Sequence, residues 1–259
     1  MHDADDLGEE TMAAFARETR LSETTFVQSA TSDGADYRNR IWTVVGEIPF
    51  AGHPSLGTAV AVALARGERE ATYVQQTGAG LQPVDVRVDE GGTSASMVQG
   101  PATFGPEIDA RHALAAVGLV PGDAHRELPP QVVSTGLPTL IVPVSAVRCV
   151  DEAQPDFELL DALVASHAAV TFYLVCVRED GSAKARMFTS GVVGGEDPAT
   201  GSAAGPLCAY LAAHGRGERV EITQGVEIGR PSKLIAEIED DRVRVAGDVV
   251  LVVEGEVRL

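Results

Sequence analysis

The segment Gly195-Glu196-Asp197-Pro198-Ala199-Thr200-Gly201-Ser202-Ala203-Ala204-Gly205-Pro206, running into Leu207-Cys208-Ala209-Tyr210-Leu211, decides how this chain is read, because the chain contains it twice. The earlier copy is Gly46-Glu47-Ile48-Pro49-Phe50-Ala51-Gly52-His53-Pro54, running into Ser55-Leu56-Gly57-Thr58-Ala59-Val60-Ala61. Aligned without gaps, Glu47 falls on Glu196, Pro49 on Pro198, Gly52 on Gly201 and His53 on Ser202. The strand-like entries upstream, Arg40-Ile41-Trp42-Thr43 and Arg186-Met187-Phe188-Thr189, match as well. Two copies about 149 residues apart in a chain of 259 predict a duplicated domain with one special loop in each half.

Each loop leads into a helix with almost no polar face, at 54–66 and at 206–214, stopped by Gly67 and Gly215. A helix apolar on all sides must be wrapped. After the first helix, the alternating or Val-rich segments 71–76, 84–88 and 94–99 supply antiparallel strands to do so. The second half repeats the plan, with strands expected at 140–144, 169–177, 185–189, 220–223, 232–239, 242–246 and 249–253 and a helix at 157–166. Further helices are expected at 8–20, where Met12, Phe15 and Ala16 recur at helical spacing, and at 108–119. The predicted fold class is α+β: two similar halves, each a curved, mostly antiparallel sheet around a central apolar helix. Pro121-Gly122-Asp123 and Pro129-Pro130 read as a linker, which places the halves at 1–122 and 123–259, with the last strand returning to the first half.

Composition narrows the function classes. Thirty-eight acidic against 20 basic residues give a net charge of −18, a field that repels nucleic acid and anionic membrane surfaces. No apolar run reaches the ~18 residues of a membrane span, and the acidic N-terminus is unlike a signal peptide, so a cytoplasmic protein is expected. Cys149, Cys176 and Cys208 are odd in number and lack metal-type spacing, which reads as free buried thiols. The six histidines show no ligand spacing either, so no metal is expected.

The chemistry is expected at the repeated loop. The first N–H groups of a helix lack partners and carry partial positive charge. Gly52 and Gly201 have no Cβ and let a ligand approach the backbone, while His53 and Ser202 are placed to cap the helices and donate to the same ligand. Two such termini facing one cleft would hold a carboxylate without any Lys or Arg, which reconciles a small anionic metabolite with an acidic chain. Asp197 has no acidic counterpart at Ile48, so one half supplies a carboxylate. Acid–base candidates are Asp197, Glu23, Glu47, Glu196 and His53. Local pattern alone makes Glu23, between a helix end and a strand start, a solvated turn residue.

Four stretches, taken together, resemble the PhzF family of phenazine-biosynthesis-like isomerases. They are Leu-Ser-Glu-Thr-Thr-Phe-Val at 21–27, Pro-Phe-Ala-Gly-His-Pro-Ser-Leu-Gly-Thr-Ala at 49–59, Glu-Asp-Pro-Ala-Thr-Gly-Ser-Ala-Ala-Gly-Pro at 196–206 and Gln-Gly-Val-Glu-Ile-Gly-Arg-Pro-Ser at 224–232. The resemblance spans nearly the whole chain. It implies a diaminopimelate-epimerase-like fold with the active site between two halves, acid/base catalysis, no cofactor or metal, and a homodimer. It also implies that Glu23 is the proton-shuttling glutamate, against the local reading. Asp197 and His53 then assist, and Gly52, His53, Gly201 and Ser202 bind substrate. In the phenazine enzyme such residues bind trans-2,3-dihydro-3-hydroxyanthranilate and move a proton from C3 to C1. Related epimerases carry a cysteine before the Gly of each loop; Ala51 and Thr200 stand there, which speaks against a two-thiol racemase.

Two departures accompany the resemblance. Family members begin with a strand and a Gly-Asn-Pro loop upstream of the segment that here is Met1-His2-Asp3-Ala4-Asp5-Asp6-Leu7, so the first sheet is expected to expose an edge and the cleft to lose a wall: either the start is misassigned, or the chain is truncated, or the family activity is impaired. Arg20 replaces the Asn usual before Leu-Ser-Glu. The leading expectation is a cofactor-independent isomerase acting on a small carboxylate-bearing substrate. The rivals are a non-catalytic small-anion binding protein and an epimerase of the same fold acting on an amino or hydroxy acid.

Overall fold

A computed structural model describes residues 1–90, 92–192 and 194–258. The chain divides into two units, Met1–Met97 with Ala246–Leu259, and Val98–Val245. The division falls after Met97 and not at the expected 122/123. Residues beyond 98 belong to the second unit because Gly100 N donates to Thr135 O at 2.9 Å and the strand at 103–107 pairs with the one at 131–134. The Pro/Gly stretch that read as a linker is a short 3-10 turn, Pro121–Asp123, held by the buried Asp123 carboxylate, which accepts from Val120 N at 3.1 Å and Arg148 Nη2 at 3.0 Å.

The first unit runs α1 (Glu9–Thr19), β1 (Thr24–Gln28), β2 (Tyr37–Thr43), β3 (Gly46–Ile48), α2 (Gly52–Arg66), β4 (Glu70–Thr77), β5 (Gly80–Asp89) and β6 (Gly92–Val98). Its strand order is β1-β2-β4-β5-β6, with β3 folded onto β2. The β1–β2 and β2–β3 pairs are antiparallel, whereas β2 and β4 are parallel because α2 carries the chain across between them. All of α2 but its last turn packs against the unit, its Leu56, Ala59, Val60 and Ala63 meeting Tyr73 and Val84 of the surrounding strands.

The second unit runs β7 (Thr103–Glu107), α3 (Ala110–Ala115), β8 (Gln131–Ser134), β9 (Thr139–Pro143), α4 (Val147–Glu152), α5 (Phe157–Ser166), β10 (Thr171–Val177), β11 (Ala183–Phe188), β12 (Glu196–Asp197), α6 (Gly201–Ala213), β13 (Arg219–Gln224), β14 (Ser232–Glu239) and β15 (Arg242–Asp248). Its order is β15-β14-β13-β11-β10-β9-β8-β7, with β12 on β11. The run β10-β11-β12-α6-β13-β14-β15 repeats β1-β2-β3-α2-β4-β5-β6 element for element, including the parallel pair across the helix (β11–β13). The duplication in sequence is therefore a duplication in topology.

Three local expectations are corrected. Both central helices start earlier than expected, at Gly52 and Gly201, because Pro54 and Pro206 fit inside the first two turns. The helix expected at 108–119 is confined to Ala110–Ala115, held at its start by Asp109, whose side chain accepts from Arg111 N. The strand expected at 249–253 does not form. Its apolar side chains Val250, Leu251, Val252 and Val253 stand exposed, without a ladder partner to repay ordering.

The edge of β1 is covered where the sequence reading expected it bare. Beside β10 lies β9, a parallel strand of five residues. At the equivalent side of β1, Val27 N donates to Met1 O at 2.8 Å, Ala4 N donates to Val27 O at 3.1 Å, and Ala4 is fully buried against Met12 and Phe26. Met1–Ala4 thus engages part of the β1 backbone, so the edge groups at Val27 are satisfied.

One glycine per unit seats the loop proline. A Cβ on Gly78 would lie 2.8 Å from Pro49 Cα, and one on Gly225 would lie 2.3 Å from Arg230 O and 2.8 Å from Pro198 O. Gly225 also holds φ +78, the left-handed region. Gly225→Ala is expected to lower stability by about 1–3 kcal/mol from backbone strain before the clash is counted. Urea unfolding checks this, and an unchanged midpoint would show that the loop shifts freely.

Candidate active site

The matched Arg and Glu of the two copies form the same ion pair in each unit. Arg40 Nε donates to Glu47 Oε1 at 2.7 Å and Nη2 to Oε2 at 2.5 Å; Arg186 Nε donates to Glu196 Oε1 at 3.0 Å and Nη2 to Oε2 at 2.7 Å. The strand pairing dictates this, since Trp42 faces Glu47 and Phe188 faces Glu196 across β2–β3 and β11–β12, with each guanidinium stacked on its aromatic ring. Glu47 and Glu196, read from sequence as acid–base candidates, are corrected to loop anchors: a carboxylate held at both oxygens by one guanidinium is a poor proton carrier.

His53 and Ser202 do not cap their helices. The N-cap residues are Ala51 and Thr200, neither making a side-chain cap bond, because the helices begin one residue before His53 and Ser202. Both residues stand at the second helical position, within the first turn, whose backbone N–H groups have no intrahelical acceptor. Gly52 and Gly201 are buried at the first position.

In the first unit the helix start brings His53 to Glu23. His53 Nε2 lies 2.9 Å from Glu23 Oε2, and the Glu23 side chain is 11% exposed against 36% for His53. Glu23 immediately precedes β1, and the turn that delivers it leaves α1 through Arg20 at φ 51, the left-handed region. Asn adopts that conformation more readily than Arg. The departure at Arg20 is therefore conformational rather than chemical. The pair lines a cleft of about 230 Å³ together with Thr25, Pro54, Gly57 and Thr58, the last donating to Pro54 O at 2.8 Å. The volume lies below the ~300–1,000 Å³ of pockets for drug-sized ligands and suits a small metabolite. A carboxyl and an imidazole 2.9 Å apart, at the wall of a small cleft, can take up, hold and return a proton.

In the second unit Asp197, Thr200 and Gln224 form one buried chain. Thr200 Oγ1 donates to Asp197 Oδ2 at 2.6 Å; Gln224 Nε2 donates to Thr200 Oγ1 at 2.8 Å and to Asp197 O at 2.7 Å; Tyr173 OH donates to Gln224 Oε1 at 2.9 Å. Asp197 is 6% exposed, and no donor among the described residues reaches its Oδ1. The start of α6 is held separately: Gln99 Nε2 donates to Gly201 O at 2.9 Å while accepting from Thr135 Oγ1, and its amide fills the space a Cβ on Gly205 would need.

Sequence reading missed Tyr173, Gln99 and the role of Gln224 and Thr200. Gln224 and Thr200 were visible inside the quoted motifs. Tyr173 and Gln99 carried no local signal, since an apolar strand and a strand end look the same with or without a buried partner.

The chain is 38% identical over 250 residues to trans-2,3-dihydro-3-hydroxyanthranilate isomerase of Pseudomonas aeruginosa, covering 94% of this chain and 85% of that protein. The structure of a predicted epimerase from Pseudomonas aeruginosa superposes with a TM-score of 0.87 at 34% identity, over 99% of this chain and 91% of that one. The Bacillus anthracis phenazine biosynthesis protein of the PhzF family gives 0.85 at 30% identity, over 99% and 91%. Fold and relatives together define an isomerase-type enzyme with an epimerase-like architecture. The phenazine biosynthesis-like protein family (PhzC-PhzF) matches residues 1–255, and the chain belongs to it.

Proposed function

We propose that this protein is a cofactor-independent isomerase that moves a proton from C3 to C1 of trans-2,3-dihydro-3-hydroxyanthranilate or a closely similar carboxylate. The observation that carries the reading is the Glu23–His53 pair, 2.9 Å apart at the wall of a small cleft, in a chain 38% identical to an isomerase of that name. Glu23 is the acid/base: as carboxylate it accepts the C3 proton, and as carboxylic acid it returns one to C1. His53 orients the Glu23 carboxyl and takes part in substrate binding. Asp197 assists the proton traffic, and Gly52, Gly201 and Ser202 bind the substrate anion through helix-start N–H groups and the Ser202 hydroxyl. The protein works on a small anionic metabolite in the cytoplasm, as a homodimer.

An epimerase using two thiols is the competing reading, prompted by the name of the superposed structure. Ala51 and Thr200 supply no thiol at the loops, and the three cysteines are buried and free. Burial pushes the Cys208 thiol up to about 12 and raises Cys149 and Cys176, the reverse of what a thiolate base needs.

Incubation with dihydrohydroxyanthranilate in D₂O tests the proposal: product should form with deuterium at C1. Substrate recovered unchanged, with no deuterium at any carbon but with ligand-induced stabilisation, would replace the isomerase by an anion-binding protein. Deuterium entering the α-carbon of an amino or hydroxy acid instead would favour the epimerase.

A further inference from the structure

The direction of every hydrogen bond in the buried chain behind Asp197 follows from one backbone group. The Asp197 carbonyl can only accept, so the Gln224 atom 2.7 Å from it is the NH₂. That fixes Gln224 Oε1 toward Tyr173, whose phenol must donate. Burial and the nearby Asp197 charge both push the Tyr173 hydroxyl up, which keeps its proton in place. The second Gln224 N–H points at Thr200 Oγ1, so Thr200 accepts there and its own proton goes to Asp197 Oδ2. Oδ2 is thereby committed as an acceptor. While Thr200 donates to Oδ2, the position open to a proton on Asp197 is Oδ1, the buried oxygen that no described residue reaches.

We propose that Thr200, oriented by Gln224 and Tyr173, is a positioning residue that keeps the Asp197 carboxyl ready to exchange its proton through Oδ1 alone. Thr200 stands at the N-cap position of α6 without making a side-chain cap bond, so its hydroxyl is left for Asp197. This role of Thr200 deepens the isomerase reading by assigning the direction in which Asp197 takes part, and it rests on that reading for its catalytic meaning. The groups around Asp197 permit it. Tyr173 on β10 is neutral, Arg186 on β11 is spent on Glu196 of β12 and on the Val150 and Ala153 carbonyls, Gln224 on β13 is uncharged, and the first turn of α6 carries no acidic residue.

The test reads Asp197 directly, without substrate. Protein labelled with ¹³C at the aspartate carboxyl is titrated by NMR, the Asp197 signal being assigned by its loss in Asp197→Asn. A bond donated to a carboxylate favours the charged form, so removing it raises the pKa. Thr200→Val, which keeps the side-chain shape, is expected to raise the Asp197 midpoint by about 1–2 pH units, and Thr200→Ser to restore it. If Thr200→Val does not fold, Thr200→Ala serves the same comparison. A midpoint unchanged in Val or Ala overturns the proposal, as does one that rises equally in Ser. Failure of the isomerase reading looks different: wild type would not turn over dihydrohydroxyanthranilate, while the Asp197 midpoint would still move with the Thr200 hydroxyl.

Discussion

Glu23→Gln is expected to lower turnover of dihydrohydroxyanthranilate by about 10²–10⁴-fold, with the loss in kcat rather than in KM. The substitution keeps the length and shape of the side chain beside His53 Nε2. What it removes is a group that can carry a proton between two carbons. Stability should change little, because the ion pair that is weakened is made to a histidine that is 36% exposed. Equal turnover by wild type and variant would take Glu23 out of the mechanism. His53→Ala offers a contrast, since it removes an orienting partner and should affect KM together with kcat. Thermal unfolding of both variants separates a chemical loss from a folded fraction that has shrunk.

Arg186→Met is expected to destabilise the protein by about 3–5 kcal/mol, a large share of the ~5–15 kcal/mol available to a folded domain. Arg186 and Glu196 side chains are only 10% and 6% exposed, and the guanidinium also satisfies the Val150 and Ala153 carbonyls at 3.2 and 2.9 Å. Removing it leaves a buried carboxylate and two carbonyls without their donor. The twin substitution Arg40→Met is expected to cost nearer ~1 kcal/mol, because Glu47 is 35% exposed and Glu9, the other partner of Arg40, is 74% exposed, so water can replace the lost charge. Chemical denaturation of the two variants makes the comparison. Equal costs would mean that burial does not separate the pairs, and a fully stable Arg186→Met would remove the anchor role. Arg186→Met combined with Glu196→Met should recover part of the loss, as apolar replacements of buried pairs do.

The contrast between these two pairs shows how far the sequence could be read. Arg40/Glu47 and Arg186/Glu196 were found as repeated letters, and repetition correctly implied repeated architecture. The letters could not say that each Glu faces its own Arg, since that depends on a short return strand folding back on the entry strand. Nor could they say that one pair is buried and the other half-open. Glu23 is the opposite case. Its neighbours in sequence made it a turn residue, resemblance to a family made it a proton carrier, and it took the start of α2, 30 residues downstream in the chain, to bring His53 within 2.9 Å.

The chain's letters alone carried the duplication, the apolar central helices, the strands that enclose them and the glycines and prolines of the two loops. Each of these is written in local spacing or in a repeat, and local spacing is governed by backbone geometry that any segment obeys by itself. Where the units divide, which carboxylates are anchors, how the Asp197 hydrogen bonds run and what covers the edge of β1 were set by folding. Those properties arise from groups brought together from distant positions, as Tyr173 and Gln224 are across 51 residues of chain, where burial leaves each donor a single acceptor.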